Sequence, residues 1–331
     1  GFSTLAYASR TTRINRMPEG PVNTVVQGSS LWKDARNRMV QNKFAVASLC
    51  VLGIIILLCF VVAWFCQDPN KVNLVNKFAP SSPEHWFGTD ALGRDLFARI
   101  LYGGQVSILV GLIATAVSVA IGIVYGAISG FMGGRTDALM MRIVDTLLAI
   151  PFLVLVIVLQ ATLSNFSRDV TQWIVESWSW DKEFASRLTN IVPLFFALGL
   201  LGWLTLSRIV RAQVLGIKER EFVEAAVALG YSKSRILFRH VVPNVLGPTI
   251  VYSTLTVPGF IMYEAILSFL GLGVESPNSS WGVLIKEGAN FLETEIQLLL
   301  LPGLFFSLTL FSLNFLGDGL RDALDVKASK D

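Results

Sequence analysis

The sequence predicts an all-α membrane protein whose polypeptide crosses the bilayer six times. Of its 331 residues, 53% are hydrophobic and only 15% are charged, whereas a soluble domain carries about 25% charged residues. The first long apolar segment, residues 44–66, contains no charged side chain. As a helix it would be roughly 34 Å long, enough to cross the hydrocarbon core of a bilayer. Five further apolar segments follow, at residues 106–131, 139–164, 188–207, 245–273 and 296–317.

The chain before the first apolar segment divides into two parts. Residues 1–30 are a polar tail without a long apolar core, so no cleavable signal peptide is expected there. Residues 31–43 have apolar side chains such as Trp32 and Met39 on one helical face and basic residues mostly on the other. This pattern predicts an interfacial helix on the inner membrane surface, and a solvated tail is the alternative.

Lys and Arg residues are concentrated on one side of the six predicted spans. If the N-terminus is inside, the inner segments hold 19 of the 27 Lys and Arg residues. The positive-inside rule then places both termini in the cytoplasm, including the C-terminal tail at 318–331. It also places residues 218–243 there. The net charge of +3 is small and dispersed, so nucleic acid is not an expected partner.

Residues 218–243 form the longest charged interval between two apolar segments in the second half of the chain. Apolar side chains in residues 222–229 have helical spacing, and Gly230 follows at a position that suits a left-handed helix end. Ser232 is placed to cap a second helix, and Pro243 is placed to end it. The segment therefore predicts a helix, a turn and a helix.

This segment resembles a known docking motif. Glu224, Ala225 and Ala226, followed by Gly230 and then Pro243, reproduce the EAA signature of permease subunits of binding-protein-dependent ABC importers. In that family the loop docks on a cytoplasmic ATPase. The two small alanine side chains would let the first helix approach such a partner closely, with charged residues at the rim. A solvated amphipathic helix pair is the alternative.

Three further strings extend the resemblance to about residues 31–326. FGTDALGRD at 87–95, SSWG at 279–282 and GDGLRDALD at 317–325 are similar to signatures of the oligopeptide, dipeptide and nickel importers of this family. The resemblance implies the type I permease fold of ABC importers in a bacterial inner membrane. Oligopeptides are the first expected substrate and dipeptides the second. Nickel is less favoured, because the spans contain no cluster of histidines.

The same resemblance implies an assembly. One chain would form half of a heterodimeric pore, together with a second homologous permease subunit and membrane lipid. Two cytoplasmic ATPase subunits would bind ATP and Mg, so this chain needs no cofactor. An extracytoplasmic peptide-binding protein would deliver the substrate.

The loop after the first span contains charged residues with two interpretations. Asp95 and Arg99 lie one turn apart at the start of a short amphipathic pattern, which predicts a capped, salt-bridged surface helix. Asp90, Gly93 and Asp95 suggest a cation loop instead, but two carboxylates are too few ligands for Ca²⁺. The surface helix is the preferred interpretation.

The loop between the third and fourth predicted spans, residues 165–190, is longer than the resemblance leads us to expect. The segment contains Trp173, Trp178 and Trp180 among several acidic residues. Tryptophan is typical of membrane interfaces, so we expect an amphipathic helix lying on the outer leaflet. A contact surface for an external binding protein is the alternative.

Polar residues inside the predicted spans are candidates for a translocation pathway, because lipid cannot satisfy them. Glu264 is the most unusual, and Tyr252, Ser253 and Thr256 share its span. A carboxylate near the bilayer centre costs about 2.5 to 3.5 kcal/mol on insertion scales. In the third predicted span, Arg142 and Asp145 lie one turn apart, which predicts a structural ion pair.

The sequence contains no motif for catalysis. No GxxxxGK[ST] phosphate loop and no HExxH zinc motif occur. Cys50, Cys59 and Cys66 fall in one apolar segment without CxxC spacing and are expected to be small buried hydrophobic residues.

Two other classes of membrane protein compete with the importer. A secondary transporter would use Glu264 as an ion site but should show inverted repeats, and a membrane scaffold would not explain the motifs.

Overall fold

The computed structural model describes residues 38–274 and 278–324. The predicted polar tail (1–30), most of the predicted interfacial helix (31–43) and the end of the C-terminal tail (318–331) lie outside these ranges, although positions 38–41 are helical. The described residues form no β-strand. In chain order the helices are α1 (Lys43–Phe60), α2 (Leu96–Met132), α3 (Gly134–Leu148), α4 (Phe152–Trp178), α5 (Lys182–Thr189), α6 (Val192–Lys218), α7 (Glu221–Ala228), α8 (Lys233–Ile236), α9 (Val242–Phe269), α10 (Trp281–Ala289) and α11 (Gln297–Leu324).

The expected number of membrane spans is confirmed within the described residues. Six helical stretches are long and apolar enough to cross a bilayer: Lys43–Phe65, Leu96–Met132, Phe152–Trp178, Val192–Lys218, Lys233–Phe269 and Gln297–Ala323. The last helix continues beyond residue 317, so the start of the predicted C-terminal tail is helical.

The third span differs most from its predicted range of 139–164. Residues 134–148 form a separate helix, α3, and the spanning helix α4 begins only after Pro151. Pro151 fixes its own φ and disfavours a helical conformation at the residue before it, so the helix ends there. Helix α3 also carries a charged side chain at nearly every turn, including Arg135 and Asp145, which suits a membrane surface better than its interior.

The predicted outer loop at 165–190 is a helical hairpin instead of a single amphipathic helix. Helix α4 continues to Trp178, the chain reverses at Ser179 with a φ of 53°, and α5 runs back. Ser167 donates a hydrogen bond to the carbonyl oxygen of Thr189 at 2.6 Å, which joins the two arms at their base.

Helices α2 and α6 pack along their length with their backbones in contact. A Cβ atom at Gly130 would lie 2.9 Å from the carbonyl oxygen of Arg211, and one at Gly126 would collide with the carbonyl oxygen of Ser207. Glycines four residues apart on one helix face allow such an approach between membrane helices. This contact brings Val210 and the residues after it against α2.

The start of α2 is buried, which contradicts the predicted surface helix at Asp95 and Arg99. Asp95 caps the helix by accepting a hydrogen bond from the Ala98 N–H at 2.7 Å, and it pairs with His85. The Arg99 side chain is only 3% exposed and pairs with Asp90 at 2.7 Å and with Glu287 of α10 at 2.6 Å. Asp90 therefore binds arginines and does not form a cation loop.

Two ion pairs hold α3 against α6 at the other end of the bundle. Asp137 accepts hydrogen bonds from Arg211 and from Ser129 at 2.5 Å each. Asp145 pairs with Arg208, so the predicted pair between Arg142 and Asp145 is wrong. The break before Pro151 lets α3 lie beside α6. Asp145 therefore pairs with Arg208 of α6 and not with Arg142 of its own helix.

We expect the Asp137→Asn substitution to lower the unfolding free energy by about 1.5–3 kcal/mol, because a charged hydrogen bond to a largely buried group is lost. Asp145→Asn is the matched control. Its carboxylate is 62% exposed and its partner Arg208 47% exposed, so a loss of at most about 1 kcal/mol is expected. Thermal unfolding in mild detergent measures both, and equal effects would contradict the prediction.

The same pair predicts a pH dependence. The hydrogen bond from Arg211, aided by Ser129 and the charge of Lys218, holds the pKa of Asp137 below its usual value, although burial opposes the shift. A lowered folded-state pKa stabilises the fold fully above the ordinary Asp pKa of about 3.9, and this stabilisation is lost as the pH falls further. Below about pH 4 the difference in stability between the parent and the Asp137→Asn variant should shrink.

Candidate functional site

The turn between α7 and α8 has the geometry expected from the sequence. Gly230 adopts a φ of +76°, and its N–H donates to the carbonyl oxygen of Val227 at 2.9 Å. The N–H of Tyr231 donates to the carbonyl oxygen of Ala226 at 3.2 Å. These two bonds form a Schellman motif, which satisfies the last carbonyl groups of α7. Ser232 caps α8, as expected, by accepting a hydrogen bond from the Arg235 N–H at 3.4 Å.

Pro243 does not end the second helix, contrary to prediction. The chain remains helical from Lys233 to Phe269, with a π turn at Leu237–Val241 in which the Val242 N–H donates to the Leu237 carbonyl oxygen. Proline is tolerated in the first turn of a helix. The π turn ends just before Val242, so Pro243 lies in the first turn of α9. Helix α8 therefore leads directly into the fifth span.

One side of the α7–α8 hairpin is fixed to the spans. Val223 is 3% exposed and Ala226 is 4% exposed, and both belong to the cluster that includes Val210 and Val214 of α6. Ile236 joins the same cluster from α8. The hairpin is thus packed on the helices that precede and follow it.

The opposite side of the hairpin is uncovered. Phe222, Val227, Leu229 and Tyr231 are between 40% and 72% exposed, and Glu224 and Ala225 are exposed beside them. We call these six residues the coupling face. Of the two alanines in the signature, only Ala225 can meet a partner, because Ala226 faces the bundle.

The remaining candidates for a pathway lie on α9. Tyr252 and Thr256 are half-buried and share one helix face, whereas Ser253 is buried. The Ser253 hydroxyl donates to the carbonyl oxygen of Thr249, and that of Thr256 donates to the carbonyl oxygen of Ser253, each at 2.7 Å. These hydroxyls are therefore satisfied within their own helix.

Glu264 is fully buried within the subunit. Its carboxylate accepts hydrogen bonds from Ser107 of α2 at 2.8 Å and from Ser268 at 2.7 Å. The Trp281 N–H, at the start of α10, donates to the Ser107 hydroxyl at 3.2 Å. Glu264 thus lies at the junction of α2, α9 and α10.

Sequence reasoning missed the serine partners of Glu264. Ser280 caps α10 by accepting a hydrogen bond from the Val283 N–H at 3.2 Å, and a serine before an apolar helix is a recognisable capping signal. The cap could have been predicted, but the hydrogen bond of Ser280 to Ser268 at 3.4 Å could not. Among the described residues, no group of His, Cys, Asp or Glu side chains is placed to hold a metal ion.

Comparison with known proteins matches two family models. Residues 122–330 match the binding-protein-dependent transport system inner membrane component, and residues 30–80 match the N-terminal transmembrane domain of oligopeptide transport permease C. The oligopeptide transport system permease protein OppC of Haemophilus influenzae is 44% identical, over 91% of this chain and 90% of that protein. Its Bacillus subtilis counterpart is 42% identical, over 91% of each chain, and the dipeptide permease DppC of B. subtilis is 38% identical, over 90% and 86%. The chain therefore belongs to the family of inner membrane components of binding-protein-dependent transport systems.

Proposed function

We propose that this chain is a permease subunit of an ATP-driven importer of oligopeptides or dipeptides. The observation that carries the proposal is the coupling face, an exposed apolar surface on a hairpin that is braced against the spans. Exposed apolar patches rimmed by charge mark protein docking sites. The sequence relatives named above are oligopeptide and dipeptide permeases, which supports peptides as the cargo.

The partner of the coupling face is a cytoplasmic ATPase subunit. ATP and Mg would bind to two such subunits, and a second homologous permease would complete the pore. The concentration of Lys and Arg supports a cytoplasmic location for the coupling face and both termini. Substrate would arrive from an extracytoplasmic peptide-binding protein.

The packing of the hairpin suggests how ATP hydrolysis would move the spans. Because Val223 and Ala226 pack against α6, a displacement of α7 would be transmitted to α6. Rigid-body movement of packed helices is a common route to alternating access. Tyr252 and Thr256 are half-buried on one face of α9, which supports them as residues that line the moving pathway.

We expect Leu229→Asp to prevent stable association with the ATPase, because it places a charge in the most exposed apolar position of the coupling face. Val75→Asp is the matched control, since Val75 is 92% exposed at the opposite end of the bundle. Copurification of the ATPase in mild detergent is the measurement. Retention of the ATPase by the Leu229→Asp variant would refute the docking surface.

Gly230→Val should uncouple transport from ATP hydrolysis. A Cβ atom at Gly230 would meet no atom within 4 Å, so the expected cost of about 1–2 kcal/mol comes from the left-handed backbone. Gly230→Asn is the control, because asparagine tolerates this conformation. Peptide uptake per ATP hydrolysed should fall in the Val variant and be nearly retained in the Asn variant. Parental transport by the Val variant would show that the turn geometry is unimportant.

For Glu264 we propose a positioning role, in which it holds α10 against α2 and α9. Glu264→Gln keeps an acceptor for the serines and should assemble and transport peptide. Glu264→Leu leaves the hydroxyl hydrogens of Ser107 and Ser268 without their acceptor, at a cost of about 1–3 kcal/mol for each buried group, and should lower thermal stability.

The same pair of variants tests the two other roles of Glu264. A stable Gln variant that cannot transport would establish a pathway acid, as the sequence suggested. Transport that is independent of ATP and loses its pH dependence in the Gln variant would instead indicate a secondary transporter.

A further inference from the structure

The hairpin at residues 168–189, formed by the end of α4 and by α5, is the largest feature that the proposed function leaves unexplained. We call it the outer hairpin. Its base is marked by the hydrogen bond between Ser167 and Thr189. Its position relative to the bilayer follows from the charges on the two spans that it joins.

The base lies at the edge of the hydrocarbon core. Arg208 is the first charged residue of α6, the helical rise from Arg208 back to Val192 is about 24 Å, and Thr189 lies three residues beyond Val192. The hydrocarbon core is about 30 Å thick. On the other arm, Arg168 is the first charged residue of α4. Both arms therefore place Ser167 and Thr189 at the same membrane boundary.

The tip of the hairpin extends beyond the lipid headgroups. From Arg168 to Trp178 helix α4 rises about 15 Å, and a tilt of 40° would reduce this height only to about 12 Å. The headgroup region on each side of the core is only about 5–8 Å thick. The tip therefore stands in the aqueous phase, which argues against the expected position on the outer leaflet.

The tip carries an exposed ladder of aromatic rings. Trp178 lies 6.1 Å from Trp173 and 5.5 Å from Trp180, and Trp180 lies 5.5 Å from Phe184, measured between ring centroids. Trp178 is 58% exposed and Phe184 is 52% exposed. Exposed tryptophans outside the bilayer are typical of the centre of a protein interface.

Charge identifies the kind of partner. Residues 168–189 contain four acidic and three basic residues, and the acidic excess lies at the tip, where residues 173–184 contain three acidic residues and one basic residue. An acidic surface is repelled by anionic lipid and is complementary to a basic protein surface. The contact face of the partner should therefore combine apolar groups with positive charge.

We infer that the outer hairpin is the docking surface for the extracytoplasmic peptide-binding protein. This inference rests on the proposed function, because the hairpin is extracytoplasmic only if the coupling face is cytoplasmic. The peptide-binding protein is the partner that must reach this side of the membrane. Trp178 and Trp180 would be its central contacts.

A spin label tests the position of the tip. The label is placed at the exposed Ser177, by Ser177→Cys in a variant that lacks the three native cysteines, and the assembled importer is reconstituted in liposomes. Val158→Cys is the control, because Val158 is 60% exposed on the same helix at the level of the core. The label at 177 should collide with a water-soluble nickel chelate and the label at 158 with oxygen dissolved in lipid. A lipid-phase signal at 177 would overturn the inference.

Binding is tested in the same reconstituted importer with its purified peptide-binding protein. The double variant Trp178→Ala/Trp180→Ala should raise the dissociation constant of that protein about tenfold or more. Phe166→Ala, which removes a 67% exposed ring at the level of the base, should bind as the parent does. Unchanged binding by the double variant would overturn the inference. Failure of the parent complex to hydrolyse ATP or import peptide would instead count against the proposed function.

Discussion

Backbone contact between α2 and α6 is the constraint on which the coupling face depends. Because Gly126 and Gly130 have no side chains, α6 lies close enough for Val210 and Val214 to reach the cluster that holds α7. Lipid tails provide no hydrophobic driving force between helices, so close packing of this kind is a main source of their association. The coupling face is thus positioned by glycines on α2, a helix that is distant from it in sequence.

Polar groups reinforce this packing at both ends of the bundle. At one end, Asp137 and Arg211 join α3 to α6. At the other, Arg99 joins α2 to α10 through Glu287, and Glu264 is held by serines of two helices. Arg99 and Glu264 are out of reach of water and need partners inside the protein, so each of them fixes one helix relative to another.

Local patterns predicted those parts of the fold that local physics determines. A run of 23 uncharged residues must be a span, and Gly230 and Ser232 occupy positions where the backbone requires them. Contacts between distant parts of the chain could not be predicted from the sequence. Ser107 precedes Glu264 by 157 residues, and no spacing rule connects them. The third span was misplaced because apolar residues on both sides of Pro151 obscure the break there.

The π turn before Pro243 affects how the α7–α8 hairpin can move. Helices bend most easily where π turns and prolines interrupt their hydrogen bonds, and Pro248 follows within α9. The hairpin is packed on both spans, but only its connection to α9 contains a π turn and nearby prolines. Bending at that connection would let the hairpin turn about its contact with α6. In the proposed importer, the stroke of the ATPase would accordingly act on this subunit as a torque about α6.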